Sequence, residues 1–588
     1  MLNTAFTKMT KKIMITGLAL LCCLFSFKAN GQEISQGERD SIFITAIRDE
    51  MKRSLAGLED AEAGNPFFIS YSLLNGVVTK AEAVLGSLTK SSSDDAGDWY
   101  LRLMMGNYDC NDENFIDPLA SPERSSRIQI ACPVEPDYWG IRKAFWWNTD
   151  NVFRSAVKNY KNKLRALKEF PLDEETEKIP DYTRAEPVKI SIPGSIVRIS
   201  KLQTETLAKD LSSVFRNAEG IYRSEASVTA FSSTVYMVNT EGSEVRIPLN
   251  LCMVNIMAQV KTEEEEILSD HLIFFAPLLA SLPPADTMKQ AAVRLGEYLV
   301  QLKNAAESRE EYNGPVLLFN QASSNAFLSG LFGGENNLIA SREPLVYNMK
   351  KSMVPREKIA FETKIEKRII SRDLTVIALP RLERYDGIDL MGSLQVDAEG
   401  IFPPEEILLV QEGVLKNLLC NRVPTPKVSQ SNGHHRIGFR MGGFAFQDAP
   451  SVIKISPATA YDHVELEQQL ISLGREKGLE SVYMIRPLIF SANFSPLCFY
   501  RLNISSGEKT LVSPLQLNSI TMNDLNKQIY ASDNRYVTNT FFGSFAQAGE
   551  SYMNGVPVSM IVPDALLLEE ITLQPSAGGM DLGFPMLE

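Results

Sequence analysis

The stretch that most constrains the fold is residues 314–337, GPVLLFNQASSNAFLSGLFGGENN. Val316, Leu317, Leu318 and Phe319 are apolar in succession, which reads as a short strand buried on both faces. Residues 320–324 form a small polar turn, and an apolar helical segment runs from there to Gly333 and Gly334. A strand and a helix this apolar belong inside a packed domain. Equally informative is what the segment lacks. The chain has four histidines, His271, His434, His435 and His463, and none lies close to it.

At 588 residues the chain is long enough for two or more domains with cores of their own. Residues 1–31 read as an export signal. Lys8, Lys11 and Lys12 precede an apolar run at 13–27 that is too short for a stable membrane span, and Ala29, Asn30 and Gly31 close it with small residues. Cleavage before Gln32 and a periplasmic or cell-envelope location are expected. Leu21 disfavours a lipid anchor on Cys22 or Cys23, because a small residue is needed there. The segment contains four Lys and no acid, so its removal deepens the formal net charge from −13 to −17. Such a chain repels phosphate backbones, and no basic stripe is evident to offset this, so no nucleic-acid partner is expected. No other long apolar run occurs, so no transmembrane segment is expected after cleavage.

Five cysteines remain: Cys110, Cys132, Cys252, Cys420 and Cys498. An odd number without a CxxC pattern makes neither a disulfide framework nor a zinc ribbon. Cys110 and Cys132 are the candidate disulfide pair of an exported chain, with isolated buried thiols as the other reading.

The fold class expected is α+β, an N-terminal α/β domain with an antiparallel sheet and long helices, then a β-rich, barrel-like C-terminal domain. Residues 32–170 form a helix-plus-sheet region. Apolar spacing predicts a helix over 39–58, then strand-like runs at 67–74, 77–88 and 99–108 separated by turns at Asn75-Gly76 and at 91–95. A long helix is expected over 137–170, containing Trp139, Trp146 and Trp147. Its large side chains are expected to pack on the sheet and not to form a binding platform. Residues 171–200 read as a charged, solvated linker. A second α/β segment follows at 201–310, with a helix at 202–215, paired strands at 224–239 and 244–258, and a helix at 285–306. Four consecutive glutamates at 263–266 read as a solvated face and not a calcium site. The C-terminal region, 311–588, should hold a helix at 462–477 capped by Asp462, a second helix at 517–530, and closing strands at 556–562 and 565–573.

Several segments in one shared order resemble the TldD/PmbA family of metalloproteases. They are the N-terminal LRLMMGNY at 101–108, the long helix at 138–168, MVNTEG at 237–242, GSLQVDAEG at 392–400, LLVQEGVLKNLL at 408–419, Asn432-Gly433-His434-His435-Arg436, and SMIVPDALLLEEI at 559–571. In active members the helix after the buried strand carries HExxxH, and two histidines and a cysteine bind the catalytic metal. On that pattern the histidines fall on Leu328 and Gly333 and the glutamate on Ser329. Leu has no lone pair, Gly has no side chain, and Ser is no carboxylate base. The resemblance therefore implies a member whose metal motif is degenerate, with no catalytic or metal-ligating residue of its own and no cofactor. It further implies dimers, in which chains without the motif partner an HExxxH-bearing paralogue that can hold a metal.

Three functions stay open at this point. The first is a non-catalytic partner subunit that binds peptide. The second is a stand-alone peptide-binding or scaffold homodimer in the cell envelope. The third is a peptidase with a relocated site built from His434, His435 and Cys498. Adjacent histidines on a regular strand point to opposite faces, which opposes the third unless a loop intervenes. In the partner reading, His434, His435 and Arg436 form a candidate peptide-groove loop, with the Arg gripping a carboxylate. No GxSxG elbow, P-loop or GxGxxG is present.

Overall fold

The computed structural model describes residues 35–116, 127–131, 133–192, 199–263, 265–305, 310–342, 344–348, 352–355, 361–440, 443–543 and 554–575. The expected export signal and Cys132 lie outside these residues. Among them no helix is long and apolar enough to cross a membrane.

The N-terminal half is built on one seven-stranded sheet. Its spine is two long hairpins, Phe68–Val84 with Ser87–Met104 and Ile221–Asn239 with Glu244–Lys261; strand Ile267–Ala276 pairs with the last of these. The strands are long enough to carry two helical layers on one face. Helices Gln36–Gly57 and Tyr138–Glu169 cover one end, where Phe43, Ile47, Ile141 and Phe145 pack on Ile69, Tyr71, Trp99 and Tyr236. Phe145 stacks on Tyr71 at 4.3 Å, a burial that contributes about 1.5–3 kcal/mol. Helices Lys201–Ser213 and Ala285–Leu302 cover the other end, over Ala226, Val228, Val254 and Ile256. The second α/β segment thus shares its sheet with the first.

Sequence and structure differ here in three places. The first hairpin does not turn at Asn75-Gly76 or in the polar tract 91–95. Both lie within strands, and the chain reverses at Leu85 (φ 49) and Gly86 (φ 80). Gly76 is needed for a different reason: a Cβ there would sit 2.2 Å from the carbonyl oxygen of Ser232 on the adjoining strand. The polar tract stays extended because its neighbour on Phe68–Val84 supplies the ladder. Second, the tryptophans do not all pack on the sheet. Trp99 is buried, but Trp139, Trp146 and Trp147 are 70%, 45% and 65% exposed. The same helix carries exposed Lys143, Arg154, Lys158, Arg165 and Lys168, a basic stripe that composition concealed. Third, the solvated linker is buried in its middle: Asp181, Tyr182 and Thr183 are 5%, 1% and 6% exposed.

The C-terminal half is a layered arrangement of a six-stranded and an eight-stranded sheet, and among the described residues no closed barrel forms. The molecule is therefore mixed α+β with a β-rich C-terminal region. Strand Tyr312–Phe319 sits inside the eight-stranded sheet between Ala565–Pro575 and Ser481–Pro487. One core joins both sheets, including Val316 and Leu318 from one and Val376, Leu409, Ile453 and Met560 from the other. Helix His463–Glu476 starts at an Asp462–Glu465 capping box. The helix expected over 517–530 is one turn only, Met522–Leu525, because Leu515–Leu517 and Ile529–Ser532 are drawn into pairing with Ala565–Pro575. A hairpin, His435–Arg440 with Gly443–Asp448, reaches back onto the N-terminal sheet, where Phe439 and Phe444 pack against Phe231.

Candidate functional site

Helix Gln321–Phe332 follows the buried strand directly, and Asn320 makes the turn in a left-handed conformation (φ 49). The helix begins four residues earlier than the polar turn suggested, because that turn's small residues are themselves enclosed. Gln321, Ala322, Ser323, Ser324, Ala326, Phe327, Leu331 and Phe332 are all buried. Two of its enclosed polar side chains bond to backbone. The Ser323 hydroxyl donates to Pro563 O at 2.8 Å, and the Gln321 side-chain oxygen accepts from Ser495 N at 2.9 Å.

The three positions onto which the resemblance lays the metal motif each have a structural role. Leu328 is half-buried against the C-terminal core. Ser329 donates its hydroxyl to Ile520 O at 2.6 Å, tying the helix to the loop before Met522–Leu525. Gly333 ends the helix with its N–H on Ser329 O at 2.9 Å, and a Cβ there would lie 2.5 Å from that oxygen. The helix has no ionisable side chain. Beyond Ile520 lies a polar cleft of about 310 Å³ lined by Asn313, Asn518, Ser519, Asp524, Lys527 and Glu570.

His434, His435 and Arg436 do not form a groove wall. His434 is fully enclosed, with Nδ1 at 3.0 Å from Asn432 Oδ1 and Nε2 at 3.0 Å from Ser451 Oγ. Burial pushes its pKa down to about 3, so the ring is neutral. Arg436 is buried, donates to Pro450 O at 2.5 Å, and is lowered to about 9 by the same desolvation. Only His435 retains an exposed edge, and its Nδ1 lies 2.7 Å from Asp448 Oδ1. Cys498 belongs to a different core, with Tyr298 and Asp270 close by, and burial raises its thiol to about 12. The structure thus does not bring Cys498 together with the two histidines. Among the described residues no three His, Cys, Asp or Glu side chains converge on a position that could hold a metal. Cys110 is half-buried, and its proposed partner is outside the described residues.

The densest chemistry lies at the junction of the two halves, threaded by the segment read as linker. Arg102 donates to Glu399 at 2.6 Å and to both oxygens of Glu113 at 2.7 and 2.5 Å. Arg422 forms a two-pronged pair with Glu241 at 2.7 and 2.6 Å, and its backbone N–H donates to Glu399 at 2.9 Å. Tyr182 lies between the two guanidinium groups, 4.9 Å from Arg102 and 4.2 Å from Arg422, and donates its hydroxyl to Glu399. Desolvation drives its pKa well above the usual phenol value. Next along the strap, Asp181 is ion-paired with the buried Lys163 and accepts from Asn114 at 2.6 Å. Nothing local in the sequence marks these residues. Arg102 and Glu399 are 297 positions apart.

Residues 341–573 match the family described as PmbA/TldA metallopeptidase C-terminal domain. The match covers the C-terminal domain, so that domain is of the PmbA/TldA type. The fold of the chain is similar to a candidate modulator of a DNA gyrase from Thermotoga maritima, at 14% identity and a TM-score of 0.51, covering 91% of this chain and 99% of that one. It is also similar to TldE from Thermococcus kodakarensis, at 12% identity and 0.52, covering 90% and 100%. A further candidate gyrase modulator, from Bacteroides thetaiotaomicron, gives 12% and 0.52, covering 92% and 100%. No curated protein matches by sequence.

Proposed function

We propose that this chain is a non-catalytic member of a TldD/PmbA-type metallopeptidase assembly, which holds peptide and completes a cavity while an HExxxH-bearing paralogue supplies the metal. One observation carries the reading. The helix at the family's metal position has Leu328, Ser329 and Gly333 where ligands and base would stand, and each is engaged in packing, a backbone hydrogen bond or helix termination. A metal-activated water needs about three protein ligands and an open position. The likeness in fold to TldE accords with this reading. Peptide would be held by strand addition at sheet edges and by polar groups such as those lining the cleft beyond Ile520. The self-dimer remains the competing arrangement, and one experiment separates the two. Tagged protein is recovered from its native envelope and its companions are identified. Recovery of an HExxxH paralogue, whose peptide turnover rises on mixing, supports the proposal; recovery of this chain alone overturns it.

A further inference from the structure

Helix Tyr138–Glu169 is the longest helix described, about 48 Å from end to end. Its inner face packs on the sheet through Ile141, Phe145, Val152 and Phe153. Among the described residues nothing covers its outer face, which has an unusual composition. Trp139, Trp146 and Trp147 are exposed near one end, and Lys143, Arg154, Lys158, Arg165 and Lys168 continue along the stripe at helical spacing. The helix has eight Lys or Arg against two Asp or Glu, in a chain of net charge −13. Lys143, Lys158, Arg165 and Lys168 make no ion pair with another described residue, while Arg154 pairs with Asp150. The remaining acid, Glu169, is the last residue of the helix.

The aromatic end is a fixed platform. Buried Glu50 accepts from Arg53 at 2.5 Å and from Arg142 at 3.2 Å. Arg142 in turn lies 5.4 Å from the ring centres of both Tyr138 and Trp139, and Arg53 lies 6.0 Å from Trp146. The rings are thus held outward on a charged support anchored beneath them, at a cost in exposed apolar surface that a free surface does not require.

We propose that this face docks on an anionic lipid surface. Indole rings combine an apolar body with a polar N–H and favour the headgroup level of a bilayer, and flanking Lys and Arg are drawn to acidic headgroups. A convex helix with aromatics beside a line of cations presents both groups to one plane. A second copy is a poor occupant, since a two-fold contact would set the cationic stripe against itself. The acidity of the rest of the chain would then face away from the bilayer.

Every described element begins at or after residue 35, so a chain starting at Gln32 keeps all described contacts and lacks the apolar run at 13–27. That chain is sedimented with vesicles of equimolar phosphatidylglycerol and phosphatidylcholine, and with vesicles of phosphatidylcholine alone, while tryptophan emission is recorded. Trp99 is buried, so a blue shift reports the helix. The expected result is binding to the anionic vesicles only, weakened by salt, with a blue shift. Lys158→Glu with Arg165→Glu, and separately Trp139→Ser with Trp147→Ser, should each weaken it about tenfold or more without lowering the melting temperature. Absence of binding, or equal binding by both double variants, overturns the proposal. So does a lipid-independent blue shift on self-association or on adding single-stranded DNA, which would identify a protein or nucleic-acid partner instead.

Discussion

Helix Gln321–Phe332 and the junction around Tyr182 are both buried, yet they are filled in opposite ways. The helix carries no ionisable side chain, and the hydroxyls of Ser323 and Ser329 donate to backbone carbonyls. The junction places Arg102, Glu113, Glu241, Glu399 and Arg422 within one hydrogen-bonded group. Buried charge is costly unless it is paired, so it persists where it fixes an arrangement. Here it links the N-terminal sheet to the C-terminal domain. Helix Gln321–Phe332, by contrast, is given to apolar packing. The difference shows that charge is concentrated where the two halves meet and is absent from the helix.

The comparison breaks most directly at Arg422. Arg422→Met removes the cation paired with Glu241 while leaving the backbone N–H to Glu399, and should cost about 3–5 kcal/mol, read as a large drop in thermal or urea midpoint. A loss below 1 kcal/mol would mean the junction is not fixed by charge. Next comes the triple change Leu328→His, Ser329→Glu, Gly333→His. The clash at position 333 and a carboxylate without partners should destabilise the protein by about 3 kcal/mol and confer neither metal binding nor peptide turnover. Asp270 sharpens the contrast, being a buried carboxyl with no cation paired to it among the described residues, raised to about 8 by desolvation. Its folded pKa lies above its unfolded value, so its contribution is fully present below about pH 4 and is lost as pH rises through 8. Asp270→Asn should therefore flatten the fall in stability between those limits and stabilise at pH 8 by about 1 kcal/mol or more. The smallest effect expected is from Ser329→Ala, about 1 kcal/mol for one hydrogen bond, with no change in metal content.

Local rules made much of this legible. The capping pair Asp462 and Glu465, the turn at residues 239–242, and the long helix capped by Asp137 are readable because their determinants are neighbours in sequence. The helix after the buried strand was legible because a run of apolar residues at 316–319 precedes it directly. The junction was not. Asp181, Tyr182 and Thr183 sit in an acidic, proline-containing stretch, and their partners are at 102, 163, 399 and 422. The polar tract 91–95 misled because strand state there is imposed by the adjoining strand. His434 misled in the opposite sense: a polar loop residue by type, it is a neutral ring locked between Asn432 and Ser451.

The central claim is that this chain has no catalytic metal of its own. Elemental analysis of the purified chain, combined with turnover of an unfolded peptide before and after chelation, tests it most directly. The account predicts metal far below one ion per chain and no chelator-sensitive turnover in the chain alone. One tightly bound transition metal per chain, with turnover abolished by chelator and restored by that metal, would contradict it.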